Sequence, residues 1–255
     1  MKCPHCGFEQ QEGAIECIKC GIVCAKYSPE RHPRIHETPV SSPPASTKDG
    51  NSTMGLGSFL KELLFFVQPE TNILFLIGRI LVLLAMIIWG VKFIFSSIAS
   101  NYSGNSFMHL VNLPFHEAGH VIFRIFGQFM MMLGGSLTQL LVPFICLVAF
   151  LLKTRDTFAA SVSLWWLGQN LIDLAPYIND ARSLQLVLLG GVTGQDVEDF
   201  HDWEFILRNL GLLEYDHLFA KTTHLFGALF ILCALVWGGY VLVKQYKNVR
   251  TELSI

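Results

Sequence analysis

The reactive groups of this chain concentrate in His116-Glu117-Ala118-Gly119-His120, set between Leu113-Pro114-Phe115 and Val121-Ile122-Phe123. On a helix, positions i and i+4 stand one above the other, so both imidazoles can reach one metal ion. Glu117 is rotated away from them but stays within reach of a water on that ion. Zinc held in this way lowers the pKa of its water to about 7, and the carboxylate takes the proton as general base, the requirement for metal-assisted hydrolysis. The setting strengthens the reading, because ionisable side chains in an apolar segment are costly unless used, and three of them share one helical turn. The competing reading is a His–Glu pair hydrogen-bonded between helices.

Two imidazoles leave a catalytic zinc site incomplete, since a third protein ligand and an open position are needed. The candidates lie downstream. Asp173 falls deep in an apolar segment, where an unpaired carboxylate must be protonated or bound. Asp180 follows the pair Pro176-Tyr177, which reads as a turn at the membrane end. His201 and Asp202 precede Trp203 in a polar stretch that can fold back over the site.

A second constellation occupies the amino terminus: Cys3-Pro4-His5-Cys6-Gly7 and Cys17-Ile18-Lys19-Cys20-Gly21, with ten residues between Cys6 and Cys17. Each two-residue gap lets both thiolates of a knuckle face one ion, and the glycine permits the tight turn beneath, so Cys3, Cys6, Cys17 and Cys20 suit a structural four-cysteine zinc ribbon. A segment this small cannot build an apolar core, and metal binding supplies its folding free energy. Two disulfides are the alternative. Reduced thiolates place this end in the cytosol. With few basic residues nearby, a protein partner suits the ribbon better than nucleic acid does. Cys24 reads as a spare small apolar residue, and His5 as solvated.

The elements that must position these groups are membrane elements. Of the 255 residues, 52% are hydrophobic and only 15% charged, against about 25% charged in a soluble domain. That balance excludes a soluble enzyme, a disordered chain and a strongly basic nucleic-acid binder; the formal net charge of -2 says little about partners. Residues 1–26 form the ribbon, 27–57 a Pro/Ser-rich flexible linker, and 58–255 an integral membrane domain. Residues 58–67 are too few to span and lie along the interface. Spans are expected over 72–98, 133–152, 157–178 and 216–246, with Arg79 and Lys92 snorkelling and a short helix near 203–210 in the acidic stretch 179–215. If the apolar but interrupted segment 107–126 also crosses, Lys153, Arg155, Lys244, Lys247 and Arg250 fall outside, against the positive-inside rule; if it is re-entrant, they fall inside. The fold expected is therefore an all-α polytopic, multi-pass protein of a cell (plasma) membrane, with about four or five membrane segments plus an interfacial helix and the small ribbon.

These residues resemble the site-2 protease family of intramembrane zinc metalloproteases. The resemblance rests on the HExxH motif, the following Gly134-Gly135, and a later segment holding Asn170, Pro176 and Asp180, where the family has an Asn-…-Pro-…-Leu-Asp-Gly motif. Here Asn179-Asp180-Ala181 stands in place of Leu-Asp-Gly. The resemblance implies that His116, His120 and Asp180 hold a catalytic zinc, that Glu117 is the base, and that Asn170 supports substrate or ligand. The substrate would be a membrane protein cut within or beside the bilayer. The rival is a membrane adaptor, or a metal-sensing protein, that keeps the fold without proteolysis. Gly134-Gly135 reads also as a hinge or close-packing point, and Ser136, Thr138 and Gln139 as cavity lining or interhelical hydrogen bonding. Trp165 and Trp166 read as packing or interfacial anchors. Arg182 is expected to pair with the acidic stretch, while His109, His217 and His224 have ordinary interfacial or capping roles.

Overall fold

Apolar runs punctuated by Asn, Ser, Gly and Asp at their ends set the helix boundaries in this protein. The computed structural model describes residues 2, 3, 9, 11, 15–17, 23, 55–67 and 72–253. They belong to two compact units, Met1–Thr53 and Met54–Ile255.

In the first unit, Lys2 pairs antiparallel with Glu9, and Glu16 with Val23. Each bridge brackets one cysteine knuckle, and both partners of the second lie fourteen residues beyond those of the first (2 to 16, 9 to 23). Cys3 and Cys17 are buried. Cys6, Cys20 and residues 27–54 of the 27–57 linker lie outside the described residues.

The described part of the second unit is helical: α1 (Leu56–Phe65), α2 (Ile73–Phe95), α3 (Phe107–Phe123), α4 (Gln128–Ala149), α5 (Thr157–Asn179), α6 (Asp202–Asn209) and α7 (Asp216–Leu253). Asn72 opens α2 by accepting from Leu74 N, Ser106 opens α3 by accepting from His109 N, and Asp156 opens α5 by accepting from Phe158 N and Ala159 N. Each side chain satisfies a main-chain donor that a helix start leaves free. Gly127, at φ 94°, makes the sharp turn between α3 and α4, a conformation open to glycine at no steric cost.

Helix α5 is the centre of the bundle, packed against α2, α3, α4 and α7. Its contact with α7 is backbone to backbone. A Cβ on Gly168 would stand 2.7 Å from Gly227 O, and one on Gly227 2.6 Å from Gly168 O. Phe93, Trp165, Ile172 and Ile231 fill the adjoining core, and Trp165 Nε1 donates to Met86 O at 3.1 Å.

Among the described residues, three helices are both long and apolar enough to cross a bilayer: Ile73–Phe95, Gln128–Thr154 and Leu213–Arg250. Helix α5 has the length, at 23 residues, but Gln169, Asn170 and Asp173 on its buried face lower its apolarity. Helix α3 has 17 residues, about 25 Å of rise against a hydrocarbon core of about 30 Å.

One local expectation is corrected. Pro176-Tyr177 is not a turn, for α5 continues through it to Asn179. The main-chain bond that Pro176 cannot give to Ile172 O is supplied by the hydroxyl of Ser103, at 3.3 Å, which is how a proline is tolerated inside a buried helix. Arg79 pairs with Asp156 at 2.7 Å. That ion pair ties the start of α2 to the start of α5.

Candidate metal centre

The register of α3 puts His116 and His120 on one face, against α4. Three glycines make the approach possible. A Cβ on Gly119 would lie 2.1 Å from Gly134 O, and one on Gly134 would lie 2.7 Å from Gly119 O. A Cβ on Gly135 would lie 2.6 Å from His116 Nε2 and 2.8 Å from His120 Cε1. Gly134 is thus a close-packing point between helices, and Gly135 opens the space that the two rings occupy. Gly135→Ala is expected to push both imidazoles out of register while leaving the bundle folded, at a cost of about 1–3 kcal/mol. Zinc binding falling sharply with helical circular dichroism retained is the result to look for.

The ring protons are assigned by their partners. His116 Nδ1 lies 3.0 Å from Gln139 Oε1, and His120 Nδ1 lies 2.8 Å from the main-chain oxygen of Met131. Both oxygens only accept, so each ring carries a proton on Nδ1, and Nε2 is the nitrogen turned towards the cluster. The orientation of the Gln139 amide is itself fixed, because its Nε2 donates to Asp173 Oδ2 at 3.3 Å. Metal-binding histidines are characteristically held in this way through the nitrogen that does not bind.

Both Nε2 atoms face Asp202 Oδ2, at 2.9 Å from His116 and 3.3 Å from His120. The ligating atoms of the three residues all lie within 4.8 Å of one another. Three electron-rich atoms so placed repel unless a cation or an added proton lies among them. Donors on a tetrahedral zinc with bonds of ~2.1 Å stand about 3.4 Å apart, so these residues fit the ion.

Asp202 arrives by way of α6, whose attachment is polar and apolar at once. Asp202 N donates to Tyr177 Oη at 2.9 Å, and Trp203 Nε1 donates to Ser136 Oγ at 3.1 Å. Phe205 and Ile206 pack on Met132. His201 does not join the cluster. Its Nδ1 accepts from Glu204 N as the cap of α6, and its Nε2 faces Asp180 at 3.6 Å.

Asp180 is placed elsewhere than the resemblance implied. Its carboxylate accepts from Ser183 Oγ, Gln185 N and Leu186 N, at 2.6, 3.0 and 2.9 Å. Burial opposes its charge, but the neighbouring His201 and these donors outweigh it and hold the carboxyl below its ordinary value. The physical reason is position: as the residue capping the end of α5, Asp180 serves the main-chain N–H groups of the loop that begins there. Asn170 donates to Trp166 O of its own helix rather than to the site. Asp173 is linked to His116 through Gln139, which donates to it.

Sequence reasoning passed over Asn112 and found no partner for His109. Asn112 Nδ2 donates to Gln169 Oε1 and Asp173 Oδ2, and its Oδ1 accepts from Trp166 Nε1. His109 Nδ1 lies 3.1 Å from Asp173 Oδ2. Both sit on the face of α3 that carries His116, a register readable in the sequence. Arg182 pairs with Asp216 at 2.7 Å, at the start of α7 just past the acidic stretch.

A cavity of about 680 Å3 opens onto the cluster, lined by His116, Glu117, His120 and Asp202 together with His109 and Asp173. Glu117 therefore shares the chamber of the three ligating residues. Replacing Gln139 by Leu removes the acceptor of the His116 proton and frees the ring, with an expected loss of about 10–100-fold in zinc affinity. Competition against a chelating dye measures this, and Gln139→Glu, which keeps an acceptor, should bind more tightly than the Leu variant. No known protein family, curated protein or solved structure matches the chain.

Proposed function

We propose that this protein is an intramembrane zinc metallopeptidase of the site-2 protease type, hydrolysing peptide bonds of membrane-protein substrates. The observation that carries the reading is the convergence of His116 Nε2, His120 Nε2 and one oxygen of Asp202, with both Nδ1 nitrogens committed elsewhere and Glu117 in the same cavity. His116, His120 and Asp202 would hold the metal, Asp202 taking the part that the family resemblance gave to Asp180. A zinc ion there supplies a Lewis acid and acidifies water towards neutrality.

The chain's own residues supply the remainder. The Glu117 carboxylate takes a proton from the attacking water as the carbon–oxygen bond forms. It returns that proton to the leaving amine nitrogen as the carbon–nitrogen bond breaks. Gln139 and Met131 hold the two rings in the binding tautomer. A substrate helix must unwind locally first, because helical hydrogen bonds shield its carbonyls.

In this reading α5 is a fourth span, enclosed by the three apolar ones, and α3 enters without crossing. Lys153, Arg155, Lys244, Lys247 and Arg250 then lie on the cytosolic side of a cell membrane together with the amino terminus. A polar helix is tolerated there because α2, α3, α4 and α7 surround it rather than lipid. The buried Cys3 and Cys17, with Cys6 and Cys20, would hold a second, structural zinc in the ribbon, which recruits a protein partner. The cellular test compares wild type with Glu117→Gln for accumulation of uncleaved membrane proteins. Substrates enriched in the variant are expected; identical profiles with zinc retained in both would favour the non-proteolytic adaptor.

A further inference from the structure

The cavity holds a second acid–base pair that metal binding and Glu117 leave unused. His109 stands seven residues before His116, two turns away on the same face of α3, about 10 Å along the helix axis. Its Nδ1 faces both oxygens of Asp173, at 3.2 and 3.1 Å. The Asp173 side chain is 1% exposed and that of His109 36%. Asp173 also accepts from Asn112 Nδ2 at 3.0 Å and Gln139 Nε2 at 3.3 Å. Donors thus reach it from two positions on α3 and one on α4, so it is held as an acceptor and fixes the His109 proton on Nδ1.

The result is an imidazole whose orientation is locked from behind and whose second nitrogen, Nε2, keeps a free lone pair. His109 lines the same chamber as Glu117, His116, His120 and Asp202. A carboxylate holding one imidazole nitrogen while the other acts is the general form of an activated acid–base histidine. A mere pin between α3 and α5 needs no such accessibility, and Asn112 already provides one, to Gln169 and Asp173.

We propose that His109, oriented by Asp173, is a second proton-transfer residue of the cavity, carrying through water to bulk solvent the proton that the new carboxyl group retains from the attacking water. Glu117 passes the other proton of that water to the leaving amine. Nε2 of His109 accepts the remaining one as the product carboxylate forms, the ring becomes an imidazolium paired with Asp173, and buffer or solvent water takes the proton from it. No oxidant or further reactant is needed. The inference rests on the hydrolase reading above.

The test uses His109→Gln in the full chain, because glutamine can still donate to Asp173 but cannot exchange a proton. The substrate probe is a quenched-fluorescent single-span Leu/Ala peptide of about 20 apolar residues with a central Gly-Pro break, in liposomes. The variant is expected to fold, to hold as much zinc as wild type and to keep KM, with kcat lowered at least about tenfold at low buffer concentration. Added imidazole should restore the rate in proportion to its concentration, with no such effect on wild type. Nitrogen-15 NMR of wild type should show His109 with its proton on Nδ1, a state lost in Asp173→Asn.

A variant as fast as wild type at low buffer would overturn the proposal and leave His109 as a pin between helices. Loss of zinc or of helical structure in His109→Gln would overturn it in the same direction. A slow variant that imidazole does not restore would also count against it. A wild-type protein that holds zinc yet cleaves no probe at all would sink the hydrolase reading itself, and this inference with it.

Discussion

Glu117→Gln is expected to lower the rate of peptide hydrolysis by about 10²–10⁴-fold, the range that general acid–base groups contribute, while zinc content stays at the wild-type value. Glutamine has the size of glutamate, so the cavity that Glu117 shares with His116, His120 and Asp202 keeps its shape. What is lost is a group able to take a proton and return it. Because the carboxylate is not among the converging ligand atoms, the metal does not depend on it. Parallel measurements of turnover on reconstituted substrate and of zinc by mass spectrometry separate the two effects. A variant that lost both equally would make Glu117 a ligand or a structural residue.

The second large effect concerns the third ligand. Asp202→Ala is expected to lower zinc affinity by more than the roughly 100-fold that supporting residues reach, since it removes a direct donor and leaves two imidazoles. Asp180→Ala is expected to leave the metal in place. Its consequence falls on the loop: the amides of Gln185 and Leu186 lose their acceptor and should exchange faster with deuterium. Retention of zinc in Asp202→Ala together with its loss in Asp180→Ala would reverse the assignment.

The contrast between these two aspartates shows where the sequence was informative. His116 and His120 could be paired from spacing alone, because four residues on a helix are a fixed geometric step. The glycines at 134 and 135 signalled close approach for the same reason, as a missing Cβ has few other uses inside an apolar helix. The third member of the cluster carried no such local constraint. Asp202 reaches the cavity only because the chain after α5 returns across its mouth, and the anchors of that return are long-range: Tyr177 under the Asp202 amide, Ser136 under Trp203, and Met132 under Phe205. The polar stretch ending in His201-Asp202-Trp203 was visible as a candidate, but its path was not. Asp180 was the choice that the resemblance implied, on the local pattern of Asn170, Pro176 and Asp180, and its work is local as well.

Hydropathy behaved in a similar way. It located α2, α4 and α7, whose outer faces meet no protein, and the short helix α1. It read α5 as one more span, with Asn170 and Asp173 inside it. The polar side chains at Gln169, Asn170 and Asp173 mark a helix surrounded by others, where Asn112 and Gln139 supply partners. The role of Asp173 in holding His109 and orienting Gln139 follows from that burial, and a one-dimensional pattern does not contain it.

The most direct test of the central claim is X-ray absorption at the zinc edge on the purified full chain with Cys3, Cys6, Cys17 and Cys20 replaced by Ser, so that only the membrane site can contribute. The expected spectrum is one zinc with nitrogen and oxygen neighbours at about 2.0–2.2 Å, scattering from two imidazoles and no sulfur. The imidazole signal should disappear in His116→Ala. A chain that binds no zinc after the four cysteines are removed, or whose spectrum is unchanged in His116→Ala, would contradict it.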